Sequence, residues 1–327
     1  MEMILVRLYR CGLDISELCE RGLAVLEKIV VGYSDDEAGH DAVKLCGQIV
    51  AALGSEVTVV YPYSPLLSSE PAQAAEEAIR AELRALMPDS EMLAHATYHW
   101  SSSSWPIHAL HSMASYENAQ LIVIGAAREG IAGHLHVDLM ERMVHGAPCA
   151  VLVAPAGYAD RDTGRLQRVG VGYTDSAEGK AALRSGDELA QVVDGELSVI
   201  AASGLSLFVR SYAAQAAMVS ELEAETYAAT KASLQGAVTE LAGGVPVHTQ
   251  TVEGNAADVL VERSRELDLL VLGSRAYGPV RHALLGSVSA AVMREAHCPV
   301  LVMPRGCEPV AGEPASLEGA SASVAAD

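Results

Sequence analysis

The chain has 327 residues, enough for two domains with a buried core in each, and carries 22 Lys and Arg against 42 Asp and Glu, a formal charge of −20. That balance opposes binding to a nucleic-acid backbone, which depends on clustered cations releasing counterions. Half of the residues are apolar but only 4% are aromatic, so Ala, Val, Leu and Ile must fill the core, a composition suited to α/β layers and not to an all-β sandwich. In chain order, residues 1–27 are an N-terminal extension, either a short amphipathic helix through Ile15, Leu18 and Leu26 or a segment of little role. Strands are predicted at 28–32, 56–61, 92–98, 121–125 and 150–154, with helices between them. A polar linker follows at 156–167. Further strands are predicted at 168–172, 197–202, 247–252, 269–273 and 300–303, and residues 305–327 have the Ala, Ser, Glu, Pro and Gly composition of a disordered tail.

The second half repeats the first. IVIGAAREGIAGHLHVDLMERMVHGAPCAVLVAP returns as LVLGSRAYGPVRHALLGSVSAAVMREAHCPVLVMP, and KIVVGYSDDEAGHDAVKL returns as RVGVGYTDSAEGKAALRS. Short aliphatic runs alternate with helical stretches in each repeat, which implies two tandem, doubly wound, parallel five-stranded sheets, at residues 28–155 and 168–304. No apolar run reads as a membrane span. The opening apolar run is broken by Arg7 and lacks a small-residue cleavage site, so the cytoplasm is the expected compartment. Cys11, Cys19, Cys46, Cys149, Cys298 and Cys307 form no C-x-x-C pair and read as reduced thiols.

Ligands of open parallel sheets bind beyond the carboxyl ends of the strands. There the second repeat has Gly273-Ser274-Arg275-Ala276-Tyr277-Gly278, and then Gly286-Ser287-Val288-Ser289 at a helix start. A glycine at a strand end lets backbone N–H groups approach an anion, and a Gly-Ser pair opening a helix aims unpaired N–H groups and a hydroxyl at it. The plain alternative is that these glycines only end a strand and begin a helix.

With these residues the sequence resembles the universal stress protein (UspA-like) family, whose nucleotide-binding members hold ATP phosphates with G-x2-G-x9-G-[ST]. The resemblance covers roughly residues 28–304 as a tandem pair. Gly273, Gly286 and Ser287 match, and Ala276 stands for the middle Gly. The resemblance implies a Rossmann-like, adenine nucleotide alpha hydrolase-like fold, ATP with Mg²⁺ as ligand, and a stress or signalling role with at most slow ATP hydrolysis. Its phosphate cradle would be Gly273, Ala276, Gly286, Ser287, Val288 and Ser289. Thr174 would face the nucleoside, in place of the family's Asp, and Ala202 would lie near the adenine. The first repeat carries Ser34 and Asp35 at the first of these places, and Asp138 and Leu139 where Gly and Ser or Thr belong. Losing several phosphate hydrogen bonds at roughly 1.5–3 kcal/mol each lowers affinity more than a hundredfold, so this repeat is expected to bind no triphosphate and to pair with the second. A homodimer is compatible with this reading. The competing one is an interaction module without nucleotide.

No catalytic triad or carboxylate pair emerges from spacing. His99, His108, His111, His134 and His136 lack the convergent third and fourth ligands of a zinc site and read as surface or interface residues, with no metal expected. Cys149 and Cys298 read as small buried apolar residues. Trp100 and Trp105 bracket Ser101–Ser104 in a predicted loop, which is either a partner contact or a loop in which Trp105 closes the domain edge before Pro106.

Overall fold

The computed structural model describes residues 26–62, 72–88, 90–101, 106–126, 140–161, 164–204, 216–241, 243–274 and 286–303. The first repeat contributes strands β1 (Lys28–Gly32), β2 (Glu56–Pro62), β3 (Thr97–Ser101), β4 (Leu121–Gly125) and β5 (Ala150–Ala154). Around them lie helices α1 (Glu37–Leu53), α2 (Ala72–Leu86), α3 (Glu91–His95) and α4 (Pro106–Glu117), with a helical segment at 140–144. The second repeat has β6 (Arg168–Gly172), β7 (Glu196–Ser203), β8 (Val247–Glu253), β9 (Leu269–Gly273) and β10 (Val300–Met303). Its helices are α5 (Ala177–Val192), α6 (Ala216–Thr239), α7 (Ala256–Arg263) and α8 (Ser287–Glu295). Among the described residues no helix is long and apolar enough to cross a membrane.

The strand order is β3-β2-β1-β4-β5-β10-β9-β6-β7-β8. Every pairing within a repeat is parallel. The two five-stranded layers meet edge to edge: β10 runs antiparallel to β5, with Val300 opposite Val153, Leu301 opposite Leu152 and Val302 opposite Val151. The result is one continuous ten-stranded sheet where the sequence suggested two.

Side chains alternate across this sheet, and each face feeds one core. One face gathers Ile29, Val31, Leu121 and Leu152 with Val169, Val171, Leu197 and Leu301, under α1 and α5. The other gathers Val30, Ile122 and Val151 with Ile200, Leu270, Val292 and Val300. Each such buried side chain contributes about 1.5–3 kcal/mol, and both cores draw on both repeats.

Helix starts are set by local caps. Asp36 accepts from the Gly39 N–H at 2.9 Å to open α1, and Ser176 accepts from the Gly179 N–H at 3.0 Å to open α5. Asn255 does the same for α7. Gly54 closes α1 in the left-handed conformation, φ 75°, donating to Val50 O.

Most predicted strands stand within a residue of their expected ends, and the third is the exception. Residues 92–95, expected as strand, lie in α3, and β3 begins at Thr97. Ser90 caps that short helix by accepting from the Leu93 N–H at 3.5 Å, and Met92 and Leu93 both turn into the core, so an apolar run that resembled a strand is one turn of helix. Trp100 consequently lies inside β3 and not in a loop. Its indole N–H donates to Glu76 Oε2 at 2.9 Å and its ring meets Tyr61 edge-on at 5.5 Å. Trp105 and residues 305–327 lie outside the described residues, as do residues 1–25 of the extension.

The segment after β5 is fastened to both repeats. Asp41 of α1, fully buried, accepts from the backbone N–H groups of Gly157 at 2.8 Å and Ala159 at 2.6 Å. Tyr158 is buried and donates to Gln48, Arg161 donates to the His297 carbonyl, and Gln167 N–H donates to Asp268 at 3.0 Å.

Asp187 of α5 is 5% exposed, with Oδ2 accepting from Gln191 Nε2 at 2.8 Å and Oδ1 without a partner. Burial pushes its carboxyl above the ordinary aspartate range. The folded state therefore holds the proton more tightly than the unfolded one, so the carboxyl favours folding fully below the ordinary pKa and less as pH rises through the folded value. Asp187→Asn is expected to stabilise the protein by about 1 kcal/mol at neutral pH, since an ionised, half-satisfied carboxylate is removed from the core. Urea unfolding should show that gain at pH 7 and show it shrinking toward pH 4; a gain that grows on acidification contradicts this account.

Candidate functional site

Thr174, Ala202 and Gly273 stand at the carboxyl ends of three neighbouring strands, β6, β7 and β9. Thr174 is half-buried just beyond β6, and its carbonyl accepts from the Ser176 N–H at 2.8 Å. Ala202 lies opposite Val252 in the β7·β8 pair. Gly273 ends β9 against the backbone of α5: a Cβ there would sit 2.6 Å from Glu178 O. Gly125 holds the same place in the first repeat, where a Cβ would sit 1.9 Å from Ala38 O. Packing thus requires glycine at both strand ends, so Gly273 alone is not a phosphate signal.

The start of α8 is drawn to the same place. Gly286 is its N-cap, with φ −63° and ψ 142°, and no side chain among the described residues caps the helix. Ser287 is exposed, Val288 packs against the second core, and Ser289 is buried with its hydroxyl donating to Gly273 O at 3.2 Å. That bond ties the first turn of α8 to the end of β9. The uncapped first-turn N–H groups and the positive end of the helix dipole suit an anion. Ala276 lies outside the described residues, as do Arg275, Asp138 and Leu139, so the loop joining Gly273 to Gly286 and its counterpart in the first repeat are not described. Asp175, next to Thr174, is engaged by Lys180 at 3.3 Å.

The corresponding rim of the first repeat is built differently. Ser34 donates to Asp36 Oδ1 at 2.7 Å. Asp35 faces Glu82 of α2, and His40 Nε2 lies 3.2 Å from Glu82 Oε1. Hydrogen bonding with the Glu82 carboxylate, and then its charge, pushes the Asp35 carboxyl above its ordinary range. Burial alone would raise Glu82, but the Tyr33, His40 and Asp35 side chains that face it outweigh burial and hold Glu82 below the usual range. Sequence reasoning missed this group because Glu82 is 42 residues from His40 and no local spacing links them.

Among the described residues the other histidines join no such group. His99 is exposed on β3, His111 Nε2 lies 2.8 Å from Met143 O, and His108 Nδ1 lies 3.3 Å from Ser112 Oγ. His134 and His136 lie outside the described residues. Cys149 and Cys298 are buried, and burial pushes the Cys298 thiol up to about 12, far from a reactive thiolate.

Residues 26–155 and 165–304 each match the sequence profile of the universal stress protein family, and the chain belongs to that family. A universal stress protein of Mycobacterium tuberculosis is 25% identical over 308 residues, covering 84% of this chain and 99% of its own. One from Methanocaldococcus jannaschii is 42% identical over 62 residues, 18% of this chain and 36% of its own. Among solved structures, a universal stress protein from Archaeoglobus fulgidus superposes with a TM-score of 0.56 at 18% identity, covering 86% of this chain and 97% of that one, a likeness of fold.

Proposed function

We propose that this tandem universal stress protein binds adenine nucleotide, ATP with Mg²⁺, in its second repeat and works in the cytoplasm as a stress or signalling module, not as an enzyme of appreciable turnover. The observation that carries the reading is the uncapped start of α8, tied through Ser289 to the end of β9 beside Thr174 and Ala202. Backbone N–H groups of Gly286 to Ser289 would hold the phosphates, Thr174 would meet the nucleoside, and Mg²⁺ would offset phosphate charge in a chain of charge −20. Ala276 would complete the cradle. The first repeat, joined to the second through β5 and β10, serves in this reading as a built-in dimer partner that holds no triphosphate.

Titration calorimetry with MgATP tests it. One site per chain is expected in the native protein, with at least a hundredfold weaker binding in Gly286→Asp. The backbone at Gly286 has a negative φ that any residue adopts, and an Asp there is a good N-cap, so the variant should fold at least as well as the parent. It would nonetheless place a carboxylate where a phosphate is expected. Equal affinity in both proteins refutes the assignment. The competing reading, an interaction module without nucleotide, is favoured by one observation. The strand-end residue Thr174 is uncharged, and the carboxylate beside it is paired with Lys180. That reading predicts no saturable heat at millimolar ATP.

A further inference from the structure

The rim of the first repeat carries a group of side chains that the second repeat lacks. Asp35 beyond β1, His40 on α1 and Glu82 on α2 each bring one ligand atom within 4.8 Å of the others, the only such group among the described residues. His40 Nε2 and Glu82 Oε1 are 3.2 Å apart, matching the roughly 3.3 Å between two ligands of a tetrahedral ion with bonds near 2.0 Å. Both side chains are about one-third exposed, 32% and 34%, which leaves a coordination position open to solvent. Two carboxylates this close repel one another unless a proton or a cation lies between them.

A second observation points into the same group. Tyr33 is 2% exposed, and its hydroxyl, turned toward Glu82, makes no hydrogen bond. Its ring stacks beside the His40 imidazole, with centroids 6.2 Å apart. The second repeat shows what the same framework does without this group. Tyr173, in the place of Tyr33, is paired with Ser233 Oγ at 3.3 Å. Lys180 stands in place of His40 and makes an exposed ion pair with Asp175. The first repeat thus exchanges an ammonium for an imidazole, adds a facing carboxylate, and leaves a buried hydroxyl without a partner.

We propose that Asp35, His40 and Glu82 form a zinc-binding site, with water in the fourth position and the Tyr33 hydroxyl donating to the Glu82 oxygen that does not bind the ion. A nitrogen with two carboxylate oxygens suits Zn²⁺, whereas Mg²⁺ and Ca²⁺ favour all-oxygen sets of six or more ligands. The sequence reading anticipated no metal because it considered only histidines close in sequence. The site is independent of nucleotide binding by the second repeat.

The test is equilibrium dialysis of the chelator-stripped full chain against Zn²⁺, with His40→Lys and Glu82→Gln beside it. His40→Lys imports the residue that the second repeat already accommodates, so it should fold, and circular dichroism checks this for both variants. One equivalent of zinc is expected in the native chain, held at least 100-fold more weakly in each variant, undisplaced by millimolar Mg²⁺ or Ca²⁺, and retained when Cys11 and Cys19 are replaced by Ser. Unchanged zinc content in folded His40→Lys and Glu82→Gln overturns the site, as does loss of the equivalent in the cysteine variant. Tyr33→Phe should keep the stoichiometry and weaken binding severalfold; no effect there removes the role given to the hydroxyl.

Discussion

Gly125→Ala is expected to destabilise the protein by about 3 kcal/mol or more, because the added methyl meets backbone and not a movable side chain. The Cβ would lie 1.9 Å from the carbonyl oxygen of Ala38, and that atom belongs to the first turn of α1, which cannot rotate away as a side chain would. Gly39 constrains the same contact from the helix side, since a Cβ there would lie 1.9 Å from Ser34 O. Moving α1 outward would uncover Ala42, Leu45 and Cys46, all fully buried. Gly273→Ala should cost less, because its Cβ would meet Glu178 O at 2.6 Å and a smaller shift relieves it. Gly236 is the control: it is exposed in α6 with nothing within 4 Å of an added Cβ, so Gly236→Ala should stabilise by about 1 kcal/mol through helix propensity alone. Chemical denaturation of the three variants checks the order; a Gly125→Ala protein as stable as the parent would mean that α1 and β4 are not in contact as described.

The second large effect is expected at the seam between repeats. Leu152 and Leu301 face each other across the β5·β10 pair, 1% and 6% exposed. Each change to Ala removes a buried side chain and leaves a cavity, at a cost of about 3 kcal/mol. The two side chains share one space, so the double variant should fall short of the sum of the single losses. Because both cores cross the seam, the parent should unfold in a single transition, and the double variant should be the first to show two. Scanning calorimetry reads both outcomes; two resolved transitions in the parent would mean that the repeats fold independently.

Much of this architecture is visible in the residues. The duplicated segments and the Val- and Ile-rich runs mark the strands because a parallel strand covered on both faces has no polar side to display. The seam was legible too, though less directly. β5 reads AVLVA and β10 reads VLVM, both fully buried, whereas β3 reads TYHWS and β8 reads VHTQTVE, the mixed pattern of outer strands. A strand destined for an open edge carries polar or charged residues, and β5 and β10 carry none. The helical turn at Met92 and Leu93 was hidden because two adjacent apolar residues fit either period, and only the Ser90 cap separates them. At the proposed nucleotide site, Gly286 and Ser287 are recognisable from sequence, but the packing demand on Gly273 appears only when α5 is seen against the end of β9. The Asp35, His40 and Glu82 group depends on α2 folding back beside the first turns of α1, a long-range event that no residue pattern announces.

The antiparallel seam has a geometric consequence. Strands of one repeat run opposite to those of the other, so the two carboxyl-terminal rims, where ligands of such sheets collect, open at opposite ends of the molecule. Neither rim can contribute a residue to a ligand seated in the other. Each is therefore free to change its chemistry without penalty to its twin, and a chain that doubles one fold can carry two unlike receptors back to back.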